Sequence, residues 1–417
     1  MSSTPSNVPP AAAGSDAAGA PAAPLFTPRF LLVLATQSTY GCVYSAFLLL
    51  PKFLARELGA SAEAIGWVMS LYVAGGLVAV PWVARALDAR RRGPLMALGG
   101  LLGAATALGF LAVTRVGPLL FALSLLLGVA FVLVFNAGGT LAAELAPPAR
   151  LGQGLGIWGL ATLTTNAVAP VALEPVAERH GWSAVFVVSA LGALLSAGLA
   201  ALVARGEPAP AAPPPARPRR LHLGGDRGRV LVAAALTGLG LGTLFTFVVP
   251  YALELGARRV SGFFLGYTGA AVIVRLGFGS LADRHGRARV SFTALLAYAA
   301  AVAGAAWLTP AALPLVGAAL GVTHGVTYPS LNALAVAGAD PREHGSTMTY
   351  YFGAYSLGRS VSVAALGLLA GAAGYPATFL TAGALLGAGA FTLLPLVRAE
   401  RRTPTAATHA EGPCPAA

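Results

Sequence analysis

The chain has 417 residues, of which 56% are hydrophobic and 10% charged, and its mean hydropathy is +0.74. A soluble domain needs a polar shell that this composition cannot supply, so the soluble classes are excluded. The formal charge of +12 would suit a nucleic-acid partner, but the placement of the basic residues gives it another role.

Residues 1–28 are Ala, Pro and Ser with a single charge, Asp16. They lack the basic start and apolar core of a signal peptide and are expected to form a disordered tail. Crossing a hydrocarbon core of ~30 Å takes about 20 apolar residues in a helix. Twelve such stretches follow, at 29–51, 64–87, 94–114, 117–144, 154–178, 182–204, 230–254, 260–283, 289–308, 311–337, 347–373 and 376–398. All are predicted to be helices, because a backbone in lipid must satisfy its own hydrogen bonds. The predicted class is therefore an all-α integral membrane protein. Residues 205–229, rich in Pro and Arg, read as a linker between six-helix halves at 29–204 and 230–398. Residues 399–417 read as a second disordered tail. Cys42 falls in the first span and Cys414 in that tail, so a disulfide is not expected.

Sorted by these spans, 19 of the 27 Lys and Arg fall on one side of the membrane, 6 on the other and 2 inside it. This is the positive-inside bias, and it predicts a plasma-membrane protein with both termini and the linker in the cytoplasm. The basic excess orients the chain, and no nucleic-acid partner is expected.

After the eighth span, Gly279 to Arg289 read GSLADRHGRAR. Gly279 would let another helix approach closely. Asp283 is placed to meet the positive N-terminus of a neighbouring helix. Gly286 permits a tight turn, and Arg284, Arg287 and Arg289 hold that turn in the cytoplasm. The string Gly-x-x-x-Asp-Arg-x-Gly-Arg resembles in full the loop signature of the major facilitator superfamily of secondary transporters. In overall character the chain resembles that superfamily's drug and sugar efflux branch.

The two halves also read as a repeat. Asp88 follows the second span as Asp283 follows the eighth, 195 positions later. Pro148 and Pro341, Gly152 and Gly345, and Phe135 and Tyr328 match at an offset of 193. The resemblance implies two six-helix bundles related by pseudo-two-fold symmetry, rocking about a central site in a monomer. It further implies that Asp88 meets the N-terminus of helix eleven near Ser346, and Asp283 that of helix five near Gly154, holding the cytoplasmic side shut.

The resemblance implies that helices one, four, seven and ten line the cavity. Helix ten carries His324, Tyr328 and Asn332 in a stripe at i, i+4 and i+8, with Thr327 beside it. Helix one carries Gln37, Tyr40 and Tyr44, helix four Asn136 and Thr140, and helix seven Thr243 and Thr246. These read either as a mildly polar, aromatic substrate pocket or as interhelical hydrogen bonds that hold helices together. Two cations lie within spans, Arg275 and Arg359, and each needs a partner or water. Arg275 suits a structural or gating role, and Arg359 suits binding of an anionic substrate. Buried acids are scarce. Glu174 is the best placed to carry a coupling proton, with a rim charge near Arg179 as the other reading.

Several family features are missing. Helix one has no acid, Ser124 stands where proton-linked relatives carry an Arg, and the antiporter motif of helix five survives only as Gly156 and Ala169-Pro170. No metal-ligand spacing, nucleophile–base pair or phosphate loop appears, so neither enzyme activity nor a cofactor is expected. The expected function is proton-coupled efflux of amphipathic small molecules. The alternative is transport of a small organic anion held by Arg359 and Arg275.

Overall fold

The structure is a computed structural model that describes residues 24–89, 91–207, 224–277, 284–337 and 344–402. The first bundle contains α1 (Pro28–Arg56), α2 (Ala62–Ala89), α3 (Arg92–Gly109) and α4 (Pro118–Leu145). A continuous helical run, Leu151–Arg205, follows and is broken at Gly181 into α5 (151–180) and α6 (182–205). The second bundle contains α7 (Gly225–Glu254), α8 (Ser261–Gly277), α9 (Arg287–Gly304) and α10 (Leu313–Val336). The run His344–Phe391 is broken at Gly374 into α11 (344–373) and α12 (375–391), and a short α13 (Leu394–Arg402) ends the described chain.

Among the described residues, nine helical segments are long and apolar enough to cross a membrane, and α8 is a shorter tenth. The breaks at Gly181 and Gly374 divide two of the nine, which gives twelve crossings in the expected order. Large apolar side chains such as Leu191, Ile273 and Leu315 are 60–72% exposed, as lipid-facing positions must be. With an even number of crossings, the chain ends on the face where α1 begins, here termed the terminal face. The opposite one is the distal face.

The internal repeat is visible in the backbone. Gly181 (φ 78°, ψ 171°) and Gly374 (φ 82°, ψ 169°) are 193 residues apart and share a conformation open essentially to glycine alone. Each reverses the chain between the fifth and sixth helices of its bundle, on the distal face. The following aromatics match at the same offset, Trp182 with Tyr375 and Phe186 with Phe379.

Three expected boundaries move. Leu25, assigned to the disordered tail, is buried beside Phe30, Ala142 and Trp158. Thr27 then caps α1, its hydroxyl accepting from the Phe30 N–H at 3.2 Å. Glu207, assigned to the linker, is buried and accepts from the N–H groups of Arg92 and Gly93 at 2.6 and 2.8 Å. Glu400, assigned to the second tail, accepts from Ala288 and Arg289 at 3.2 and 3.0 Å. The start of the linker and the start of the tail are held because an anion beside an exposed helix N-terminus satisfies its free N–H groups.

Candidate functional site: a central cleft beneath a distal seal

Between the helices, a cleft is lined by both bundles. Tyr44 of α1, Met69 and Tyr72 of α2 and Leu127 of α4 face Phe245 of α7 and Arg359 of α11. Two buried polar atoms here have no partner among the described residues, the Tyr72 hydroxyl and Nε of Arg359. A buried guanidinium nitrogen without an acceptor is costly, which marks the cleft as a place where a ligand acceptor would be favoured.

Aromatic ladders run from this cleft into each bundle. In the first, Tyr44 stacks on Phe131 at 4.3 Å, Phe131 on Phe135 at 5.1 Å, and Phe135 meets Trp158 at 4.4 Å. In the second, Phe245 meets Tyr267 at 5.0 Å, His324 meets Tyr328 at 5.6 Å, and Tyr328 meets Tyr351 at 6.3 Å. Phe131, Phe135 and Trp158 correspond to His324, Tyr328 and Tyr351 at the 193-residue offset. One wall is thus mostly hydrocarbon and its counterpart carries hydroxyl and imidazole groups.

His324 is buried inside the second bundle. Its Nδ1 pairs with the Tyr267 hydroxyl at 3.2 Å and its Nε2 with the Tyr355 hydroxyl at 3.3 Å. Helices α8, α10 and α11 are tied through one imidazole. Arg275 and Arg359 both lie close enough to act on it electrostatically. Asn332 lies beside the half-buried Tyr328, and Thr327 is fully buried with its hydroxyl on the Thr323 carbonyl of its own helix.

The remaining expected residues divide between cleft and bundle interior. Tyr44 and Arg359 line the cleft. Gln37 is buried and donates to Thr162 at 3.2 Å, tying α1 to α5, while Tyr40 packs against Gly103 of α3. Asn136 is half-buried and its carbonyl accepts from Thr140. Thr243 and Thr246 are buried within the second bundle. Arg275 is exposed two residues before the described end of α8. Gly286 adopts φ 90° and lies against the Glu400 carboxylate, and Arg284 and Arg287 flank it. Gly279 and Asp283 lie outside the described residues, as does the side chain of Asp88.

Above the cleft, on the distal face, polar contacts join the bundles. Glu174 of α5 is fully buried, and its partner is Lys52 of α1 at 2.6 Å rather than the neighbouring Arg179. The same carboxylate accepts from the N–H groups of Val260 and Ser261, both at 2.8 Å, at the start of α8 in the second bundle. Lys52 also donates to the Arg258 carbonyl at 2.9 Å and Arg56 to that of Ala257 at 3.3 Å. Arg259 pairs with Glu178 at 3.1 Å, and lower down, at the level of the cleft, Ser70 of α2 donates to the Ser360 carbonyl of α11 at 2.8 Å. Reading along single helices missed Lys52, Tyr72, Phe245, Tyr267 and Tyr355. A lysine closing an apolar span and hydroxyl-bearing aromatics inside spans were the available signals.

Comparison with known proteins agrees with this architecture. The sequence profile of the Major Facilitator Superfamily matches residues 31–363 and 230–416. An uncharacterized MFS-type transporter of Burkholderia pseudomallei (strain 1106a) is 29% identical over 389 residues, covering 87% of this chain and 91% of its own. One from Burkholderia mallei (strain SAVP1) is 30% identical over 386 residues, with the same coverages. Among solved structures, the nucleoside transporter NupG superposes with a TM-score of 0.69 at 15% identity, covering 88% of this chain and 99% of its own. A peptide transporter in complex with alafosfalin reaches 0.76 at 15% identity, covering 89% and 95%. The chain belongs to the Major Facilitator Superfamily, and it is a multi-pass secondary transporter of the membrane rather than an enzyme.

Proposed function

We propose that this transporter exports amphipathic small molecules from the cytoplasm by alternating access, driven by protons, as a monomer in the plasma membrane with its terminal face inward. The observation that carries the reading is the pair of unlike aromatic ladders that run from the cleft into the two bundles. Phe131, Phe135 and Trp158 form an apolar ladder, and the equivalent positions of the repeat carry His324, Tyr328 and Tyr351. A molecule with one apolar and one polar face gains contact area on the first ladder and hydrogen bonds on the second. Gln37, Tyr40, Tyr44, Asn136, Thr327 and Asn332 complete the substrate path in this reading. Asp88, Arg275, Gly279, Asp283, Arg284, Gly286 and Arg287 serve the gate on the terminal face, and Glu174 serves the distal one. The two solved relatives named above carry unlike cargo, so the shared fold does not choose a substrate.

Transport into proteoliposomes under an imposed pH gradient tests the reading. Accumulation of amphipathic dyes that collapses with the gradient is expected. Accumulation that ignores the gradient removes proton coupling, and none for any compound of a broad panel removes the efflux reading. A second reading, transport of a small organic anion held by Arg359 and Arg275, is favoured by Nε of Arg359 in the cleft, which has no acceptor among the described residues.

A further inference from the structure

We infer that Glu174 is the latch of the distal gate, and that it works by capping the N-terminus of α8 across the bundle interface. The inference rests on the alternating-access reading and adds the part that holds one side shut.

The side chain lies on α5 of the first bundle and is fully buried, yet its two oxygens hold three donors. Oε1 takes Lys52 Nζ at 2.6 Å and the Val260 N–H at 2.8 Å, and Oε2 takes the Ser261 N–H at 2.8 Å. Lys52 belongs to the same bundle as Glu174, so that ion pair travels with the first bundle whichever way it tilts. The two backbone donors belong to the second bundle. They open a helix of 17 residues, where unpaired N–H groups and the helix dipole favour a negative charge. Opening the distal face must break these two bonds and leave the Lys52–Glu174 pair intact. The pair keeps the carboxylate oriented between closures, so the latch is ready to re-form.

Nearby contacts have other characters. Arg259, which meets Glu178, has a side chain that is 62% exposed, so that pair is screened and weak. The Lys52 bond to the Arg258 carbonyl and the Arg56 bond to Ala257 place cations on the carbonyls of the same short turn. The first bundle therefore grips the α7–α8 connection at both its carbonyl and its N–H groups. Glu174 supplies the only buried negative charge in that grip among the described residues.

The test places spin labels at Arg115 in the α3–α4 turn and Thr309 in the α9–α10 turn, both exposed on the distal face and outside the latch. They are introduced as R115C and T309C after Cys42 and Cys414 are replaced by Ala. Distances are measured by pulsed dipolar spectroscopy in the full-length protein in lipid nanodiscs. In Glu174→Gln the ratio of distally open to distally closed molecules should rise about tenfold, since two charge-assisted bonds become neutral ones. Ser261→Pro removes one donor at a helix position that tolerates proline and leaves the ion pair untouched. It should shift the ratio in the same direction by less. The charge swap Lys52→Glu with Glu174→Lys restores an ion pair but sets a cation against the helix N-terminus, and should stay open. Unchanged distances in Glu174→Gln and Ser261→Pro would overturn the inference. So would wild-type distances in the swap, because the pair alone would then be the functional element. None of these readings needs a substrate, so their outcome is independent of which molecule is carried.

Discussion

Glu207 and Glu400 stand 193 positions apart and make the same contact in the two bundles. Each follows the sixth helix of its half and accepts backbone N–H bonds from the first residues of the third, α3 or α9. The two sites are unequal. Glu207 is 6% exposed with bonds of 2.6 and 2.8 Å, whereas Glu400 is partly exposed with bonds of 3.2 and 3.0 Å. Glu207→Ala should therefore cost about 1.5–3 kcal/mol, the range of hydrogen bonds to a buried charge. Glu400→Ala should cost about 0.5–1 kcal/mol, the range of an exposed helix cap. Thermal unfolding of the purified protein in detergent checks this, with a clearly larger fall in Tm for the first variant. Equal losses would mean that burial does not set the strength of these caps.

Much of this fold is legible in residue order because lipid imposes it. A helix in hydrocarbon must satisfy its own backbone, so apolar runs of the right length are helices wherever they occur. The repeat was equally legible, since Pro148 and Pro341 or Gly152 and Gly345 keep one spacing. The distal seal was not. Lys52 read only as one of the six cations on the sparsely charged side, and Glu174 as a proton carrier or a rim charge near Arg179. Their pairing depends on how α1, α5 and the start of α8 converge, which no single helix encodes. The resemblance led to an acid-on-helix contact between the fifth and eighth helices at the terminal face, through Asp283, which lies outside the described residues. The structure shows the reciprocal contact at the distal face, with an acid of α5 on the N-terminus of α8.

The approach of α2 and α11 offers a second handle on distal closure. A Cβ built on Gly66 would lie 2.8 Å from the Val363 carbonyl oxygen and 2.9 Å from the Gly367 Cα. Both contacts are with backbone, which cannot swing aside. Gly66→Leu should wedge these helices apart only when the distal side is closed, and so bias the protein toward distal opening. A cysteine at Met69, in the cleft beneath, should then react with a membrane-impermeant maleimide added on the distal side. Protection equal to that in the Gly66 protein would show that the helices separate elsewhere.

His324 bears on stability and function differently from a free cavity residue. Both its ring nitrogens are engaged by tyrosine hydroxyls from α8 and α11. His324→Leu leaves two buried hydroxyls unpaired, at about 1–3 kcal/mol each, and should lower Tm markedly. His324→Gln retains a donor and an acceptor and should lose less. If both variants melt like the native protein, the imidazole is not what joins these helices. A transport defect would then point to substrate contact.

Arg359 sets up the sharpest opposition between stability and binding. An arginine within a transmembrane helix costs ~2.5–3.5 kcal/mol on the lenient insertion scale, and here Nε has no acceptor among the described residues. Its counterpart at the 193-residue offset is Asn166, which accepts from Ser45 at 2.9 Å and carries no charge. The second bundle thus holds a cation where the first holds a satisfied amide. If the cation is retained for an anionic ligand, removing it should make the ligand-free protein more stable and the binding of that ligand weaker. Arg359→Gln is expected to raise Tm without ligand and to abolish the further rise that small organic carboxylates produce. Arg359→Lys keeps the charge but loses the planar fork, and should retain only part of the ligand effect. Uncharged amides of the same compounds serve as the control, and their effect should be the same in all three proteins. A fall in Tm for Arg359→Gln, with ligand stabilisation intact, would assign the guanidinium to packing and leave the anion reading without its anchor.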